Sequence, residues 1–218
     1  MPLLLDELFT CPNCSVVFQS KIVGSYDTFG KNYSDLYIAS QEDPQPVLHL
    51  INICPKCGFA AYSLDFRFFD ISLDLVKESI KKTEDYTGRK ATEFNVGDGY
   101  LLIAEYLVNK SLEQRTSSRL QACYAYRELK DKNLDKTRKL VLKSIEEILH
   151  SKTFNQNPEE VYLYLAGEIN RLLGNNLESL EYFELALNKA TKNSVVSKLT
   201  QHQLTRPREE IPKDIVRP

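Results

Sequence analysis

Cys54-Pro55-Lys56-Cys57-Gly58-Phe59-Ala60 is the stretch on which the fold turns. Two residues between thiolates allow a tight turn that aims both sulfurs at one ion. Gly58, directly after the pair, suits a backbone position with φ > 0. The pattern also stands upstream as Cys11-Pro12-Asn13-Cys14, with Ser15 in the place of the glycine. Two such turns from separate hairpins complete a tetrahedral four-sulfur site with no open position, the pattern of structural rather than catalytic zinc. Cys11, Cys14, Cys54 and Cys57 are therefore the expected metal ligands, and a structural Zn2+ the expected cofactor. The pairs stand further apart than in the common ribbon spacing. A zinc ribbon accommodates this, because the segment between can loop out without moving the knuckles.

Other readings of these residues are weaker. A thioredoxin-type dithiol needs one such pair in a βαβ setting, and none is visible. A [4Fe–4S] cluster also uses four cysteines, but the paired-hairpin spacing favours zinc. His49 reads as a solvated or hydrogen-bonded strand residue rather than a stray ligand. Cys123, between Ala122 and Tyr124 on a helix, reads as a buried free thiol. His150 and His202 have no Ser, Cys or carboxylate constellation around them, and no phosphate-binding or H-E-x-x-H motif occurs. No catalytic activity is expected.

Working outward, Ser15 to Val23 is rich in β-branched and aromatic residues and ends at Gly24, so it predicts a strand. Val47 to Ile53 is a second apolar run, bounded by Pro44 and Pro46 before it and Cys54-Pro55 after it. A polar, turn-rich stretch lies between. From about residue 70 the periodicity turns helical. Ile71, Leu75, Ser79 and Ile80 mark a first helix ending at Gly88. Residues 98–110, 116–130 and 134–150 predict three more, the last with Leu134, Val141, Ile145, Ile148 and Leu149 on one stripe. A fifth begins at Asn157-Pro158-Glu159-Glu160, where Asn157 can cap and Pro158 suits the first helical position. It ends at Gly174. A sixth covers about 176–191, with Leu177, Leu180, Phe183, Leu187 and Ala190.

Glu160 to Asn193 fits a tetratricopeptide repeat. Gly167 and Ala186 fall at small-residue positions, Gly174-Asn175 at the turn and Phe183 at an aromatic position. Leu163, Ser179 and Thr191 depart from the pattern. Residues 116–150 read as an earlier, more divergent pair. A generic helical bundle would show similar stripes. The expected fold class is thus mostly α with a small β zinc ribbon. It divides into a zinc-ribbon-like domain at residues 1–69, a tetratricopeptide-like array at 70–194, and a short helix and mobile tail at 195–218.

Cys-Pro-x-Cys, an insert with the dipeptide Ser34-Asp35, the block Cys54 to Ala60, and helices carrying Tyr126-Arg127-Glu128-Leu129 together give a family resemblance. Over about residues 8–190 the chain resembles the prokaryotic domain-of-unknown-function family 2225. Members of that family carry glycine where Ser15 stands, and a shorter turn near Lys130 to Asn133. The resemblance implies zinc ligation and helical repeats and brings no activity with it.

The 218 residues carry a net charge of −2, unevenly spread. Residues 1–70 hold four basic side chains (Lys21, Lys31, Lys56, Arg67) against eight acidic ones, a net −4. Residues 115–143 hold Arg115, Arg119, Arg127, Lys130, Lys132, Lys136, Arg138, Lys139 and Lys143 against Glu128, Asp131 and Asp135, a net +6. A phosphate backbone would be repelled by the first region and attracted by the second. No apolar run is long enough to span a bilayer, and the N-terminus lacks the features of a signal peptide. A cytoplasmic location, where thiols stay reduced, is expected. The favoured function is a protein-interaction or scaffold role, with another protein on the helical repeat face. Nucleic-acid binding through the zinc ribbon and the stretch 115–143 is the alternative, and no membrane partner is expected.

Overall fold

The computed structural model describes residues 1–67, 70–107 and 111–216. In chain order the elements are β1 (Leu3–Thr10), β2 (Val17–Ser25), β3 (Asn32–Tyr33), β4 (Ile51–Ile53), β5 (Ala60–Tyr62), α1 (Ser63–Arg67), α2 (Leu73–Thr87), α3 (Val96–Tyr106) and α4 (Leu112–Glu128). Then follow α5 (Leu134–Ser151), α6 (Glu159–Leu172), α7 (Asn176–Lys189), α8 (Val195–Thr205), β6 (Glu210–Ile211) and α9 (Lys213–Val216). The molecule is mostly helical, with small antiparallel strand pairs β1–β2, β3–β6 and β4–β5. Among the described residues no helix is long and apolar enough to cross a membrane.

The helix starts follow local chemistry. Asn95 caps α3 and Ser111 caps α4, each accepting from the amide three residues on (Asp98 and Gln114), whose side chain bonds back to the cap. These boxes start both helices earlier than the apolar periodicity alone suggested. The last three residues of the predicted helix 98–110 lie outside the described residues. Before α6 the expected cap is displaced: Pro158, not Asn157, stands at the N-cap, and no side chain caps the helix.

The chain forms two compact units. The first comprises residues 1–27 and 42–137, the second residues 28–41 and 138–218. In the first, β1 and β2 form a hairpin with Phe9 opposite Phe18, and β4 and β5 a second with Ile53 opposite Ala60. Phe9, Phe18, Phe59 and Phe66 pack ring to ring, with centroids 5.0 to 5.9 Å apart. Two short hairpins bury too little to be stable alone; here the second also leans on a helix. The Tyr106 hydroxyl of α3 donates to Ala60 O at 3.0 Å, and that of Tyr100 to Val47 O at 3.0 Å. A Cβ on Gly99 would lie 2.8 Å from the tip of Ile51 and 3.2 Å from the Ala60 methyl, so glycine lets α3 close on the hairpin. The change of periodicity near residue 70 therefore does not separate compact bodies: α2, α3 and α4 belong with the cysteine hairpins.

Helix partners also differ from the expected array. α4 packs along α3, and α6 along α7; α4 and most of α5, the expected earlier pair, belong to different units. Both tight hairpins use one device. A Cβ on Gly97 of α3 would fall 2.3 Å from the Tyr126 ring of α4, and one on Gly167 of α6 would fall 2.7 Å from the Phe183 ring of α7. An aromatic ring of the second helix thus rests on a glycine of the first. The α7 stripe is offset from expectation: Ser179, Phe183 and Ala186 face inward, while Leu177 is 76% and Leu180 47% exposed.

In the second unit, Leu163, Tyr164, Phe183, Ala186, Leu199 and Ile211 form one core cluster. Residues 206–211, read from sequence as a mobile tail, include β6, which pairs with β3 from the segment between the cysteine pairs. The physical reason is that Ile211 finds an apolar seat there, a contact that local composition cannot reveal.

Candidate metal centre

Each cysteine pair occupies the turn of a hairpin, Cys11 and Cys14 between β1 and β2, Cys54 and Cys57 between β4 and β5. The two turns are built alike. Cys11 N donates to Val16 O at 2.9 Å and Ser15 N to Cys11 O at 2.8 Å; Cys54 N donates to Phe59 O at 2.8 Å and Gly58 N to Cys54 O at 2.9 Å. The residue after each pair is left-handed, Ser15 at φ +58° and Gly58 at φ +73°. The amides of Cys14 and Asn13 face the Cys11 sulfur, and those of Cys57 and Lys56 face the Cys54 sulfur.

The four Sγ atoms lie within 4.8 Å of one another. Cys11 to Cys57 and Cys14 to Cys54 are both 3.6 Å apart. A metal–sulfur bond of about 2.3 Å places tetrahedral ligands about 3.8 Å apart, so the spacing fits one ion at the centre. The donor set could therefore hold a metal ion, with all four sulfurs bound as thiolates. Without an ion, burial pushes the Cys11 and Cys54 thiols up. The Cys14 thiol moves down, because the Val16 amide and the neighbouring sulfurs outweigh its slight burial. A cation would favour the thiolate at every position.

The remaining sequence candidates stay outside this centre. His49 follows a 3-10 turn at Pro46–Leu48; burial, and then Lys21, lower its pKa. Cys123 is buried in α4. Of the basic stretch, Arg119 pairs with Glu105 at 3.2 Å, and Arg115 donates to Ala104 O at 3.2 Å. Arg127 lies over the Tyr124 ring, and Lys136 bonds Tyr86 O and covers its ring. Arg138 reaches Glu209 at 3.8 Å.

Two buried polar groups escaped the sequence reading. In the first unit Arg89 forks onto Asp98, at 2.8 and 3.1 Å, and onto Asp131. Asp98 also accepts from Tyr126 at 2.6 Å. In the second, Glu168 accepts from Ser34 at 2.5 Å and from Arg171 at 2.6 and 3.0 Å, while Tyr164 donates to Ser34 O at 2.8 Å. The Ser34-Asp35 dipeptide was the visible signal for this second group; its partners on α6 lie too far along the chain to be inferred.

No curated protein and no solved structure matches the chain. The family described as "uncharacterized protein conserved in bacteria", domain of unknown function 2225, matches residues 4–206. With nearly the whole chain covered, both cysteine knuckles and both glycine-seated helix hairpins included, the protein belongs to this family.

Proposed function

We propose that the chain is a zinc-binding protein-interaction or scaffold protein without catalytic activity. In this reading Cys11, Cys14, Cys54 and Cys57 form a structural zinc ribbon, and α6 and α7 form a tetratricopeptide-like unit whose outer face meets another protein. The observation that carries it is the closed four-sulfur cluster on two matching knuckles. Such a set leaves no coordination position for substrate and suits structural Zn2+. Gly167 under Phe183 supports the repeat reading, and the exposed leucines Leu177, Leu180 and Leu185 of α7 support a partner on that side. A reducing cytoplasm suits four cysteines kept out of disulfides.

Metal analysis of protein purified without added metal should give about one equivalent of zinc per chain; a visible iron–sulfur absorbance, or no metal, sinks the zinc reading. A pull-down from native lysate, with and without nuclease, separates protein partners from nucleic-acid carry-over. Nucleic-acid binding remains the alternative, and the side-chain contacts weigh against it. Arg115, Arg119, Arg127, Lys136 and Arg138 are all engaged within the protein. Association should be weak and salt-sensitive. Tight binding at physiological salt, lost on charge reversal of Lys136, Lys139 and Lys143, would promote the alternative.

A further inference from the structure

Arg206-Pro207-Arg208-Glu209-Glu210-Ile211-Pro212 is a poor core-former: four charges, and one apolar side chain between two prolines. Proline fixes φ and biases the preceding residue to extended backbone, so the segment is pre-set as an extended strip. In the second unit this strip is held in the way a receptor holds a peptide. On one side it pairs with β3, Ile211 opposite Asn32 and Glu210 opposite Tyr33, and Ser34 N donates to Glu209 O at 2.8 Å. On the other, the Gln203 amide clamps the backbone of Arg208, donating to its carbonyl at 2.7 Å and accepting from its N–H at 2.9 Å. Ile211 is 2% exposed, seated among Leu163, Tyr164, Phe183, Ala186 and Leu199. Lys31 meets Glu210 at 3.0 Å and Arg138 meets Glu209 at 3.8 Å.

These contacts read backbone, one aliphatic side chain and two negative charges. That is strand addition with a pocket for one inward residue. The receiving edge is fixed without the strip: Ser34 is bonded to the buried Glu168 and by Tyr164, both on α6. The strip itself brings one buried side chain, and residues 206–210 are exposed. We infer that this cleft is a peptide-binding site filled in cis by the C-terminal segment, and that its ligand in trans is an extended segment of another protein carrying two acidic residues followed by an aliphatic residue and proline. Tethering gives the cis segment a high effective concentration, so the cleft is closed until a competitor arrives. The inference rests on the protein-interaction reading and gives that reading a site and a ligand chemistry.

The test uses the full chain and a fluorescent synthetic peptide of residues 206–216, followed by anisotropy. Ile211→Asp, which expels the cis segment, should bind the peptide at least tenfold more tightly than the native chain. Adding Lys31→Glu should reduce that binding several-fold, and a peptide with Asp for its first Ile should not bind. A folded Ile211→Asp chain that binds no better than the native one overturns the inference. Should Ile211→Asp fail to fold, the tail variant Glu209→Lys/Glu210→Lys leaves the core alone and must still raise peptide affinity; no increase overturns it equally. A native chain that forms a concentration-dependent dimer dissociated by the peptide overturns the foreign partner in favour of tail exchange between copies. A chain that captures protein partners after nuclease treatment yet ignores the peptide fails this inference alone, leaving the general reading intact.

Discussion

Ser15 holds a left-handed backbone at φ +58° where its counterpart in the second knuckle is Gly58. An L-residue there costs about 1–2 kcal/mol, offset by about 0.4–1 kcal/mol because glycine has more unfolded-state freedom to lose. Ser15→Gly should therefore stabilise the metal-loaded protein by about 0.5–1 kcal/mol in urea unfolding. The mirror change is not symmetric. A Cβ on Gly58 would lie 2.6 Å from Ala91 O, in addition to the strain of φ +73°. Gly58→Ala should cost more than about 2 kcal/mol, and an equal, small effect at both positions would mean that Ala91 does not confine the second knuckle. Gly167→Leu should cost more than about 1–3 kcal/mol by driving a side chain into the Phe183 ring; unchanged melting would mean that α6 and α7 need no close approach. At this scale the sequence was informative. The cysteine pairs, Gly58 and Gly167 were legible because chemistry or backbone geometry restricts what can stand there. Gly97 and Asp98 were not, because their reasons, the Tyr126 ring and the Arg89 guanidinium, come from distant chain.

Elements were legible where one period dominates and illegible where partner choice decides. The apolar spacing located α2, α5 and α7 to within a few residues, since burying one face of a helix leaves a 3.6-residue trace. It could not say that α4 lies on α3. It also did not reveal β1, whose Leu3-Leu4-Leu5 run shows no alternation. What locks the helical layer of the first unit is Arg89, just beyond the end of α2, tied to the first turn of α3 and to the turn after α4. Asp98 is fully buried there while Arg89 is about one-fifth exposed. Removing one partner of a buried pair leaves a stranded charge, so Arg89→Ala should cost about 3–5 kcal/mol near neutral pH. The pH dependence has a definite sign. Burial raises the Asp98 pKa despite the pull of Tyr126, the Asn95 amide and Arg89. The folded state thus holds that proton more tightly than the unfolded chain, and this carboxyl's contribution to stability falls as pH rises through the window above the ordinary carboxylate range. Without Arg89 the window extends further upward. The deficit of Arg89→Ala should therefore shrink as pH is lowered toward the carboxylate range, read from urea midpoints of both proteins. A deficit independent of pH would mean that the guanidinium acts by packing and not by charge.

Across the whole molecule, the segment between the cysteine pairs leaves the first unit at residue 28 and rejoins it at residue 42. The wide spacing of the pairs is therefore occupied by the strip that supplies β3 and Ser34 to the second unit. If the four sulfurs hold a metal ion, as proposed, its loss has a specific consequence. Separating the four sulfurs frees both hairpin turns, and with them the ring cluster of Phe9, Phe18, Phe59 and Phe66. Phe59 also stacks on Tyr106 at 6.2 Å, and Tyr106 holds Ala60 O, so the disturbance reaches α3 and, through Gly97 and Tyr126, α4. The core cluster of Leu163, Tyr164, Phe183, Ala186, Leu199 and Ile211 in the second unit contains none of these residues. Chelation or Cys54→Ser should therefore strip hydrogen-exchange protection from both hairpins and from α3 and α4, while α6 and α7 keep theirs. Most of the helical circular dichroism should survive. Protection lost only from the hairpins would show that they fold as a body of their own, bounded near residue 70. Protection lost evenly, α6 and α7 included, would show that the two units unfold as one cooperative structure whose stability depends on the metal throughout.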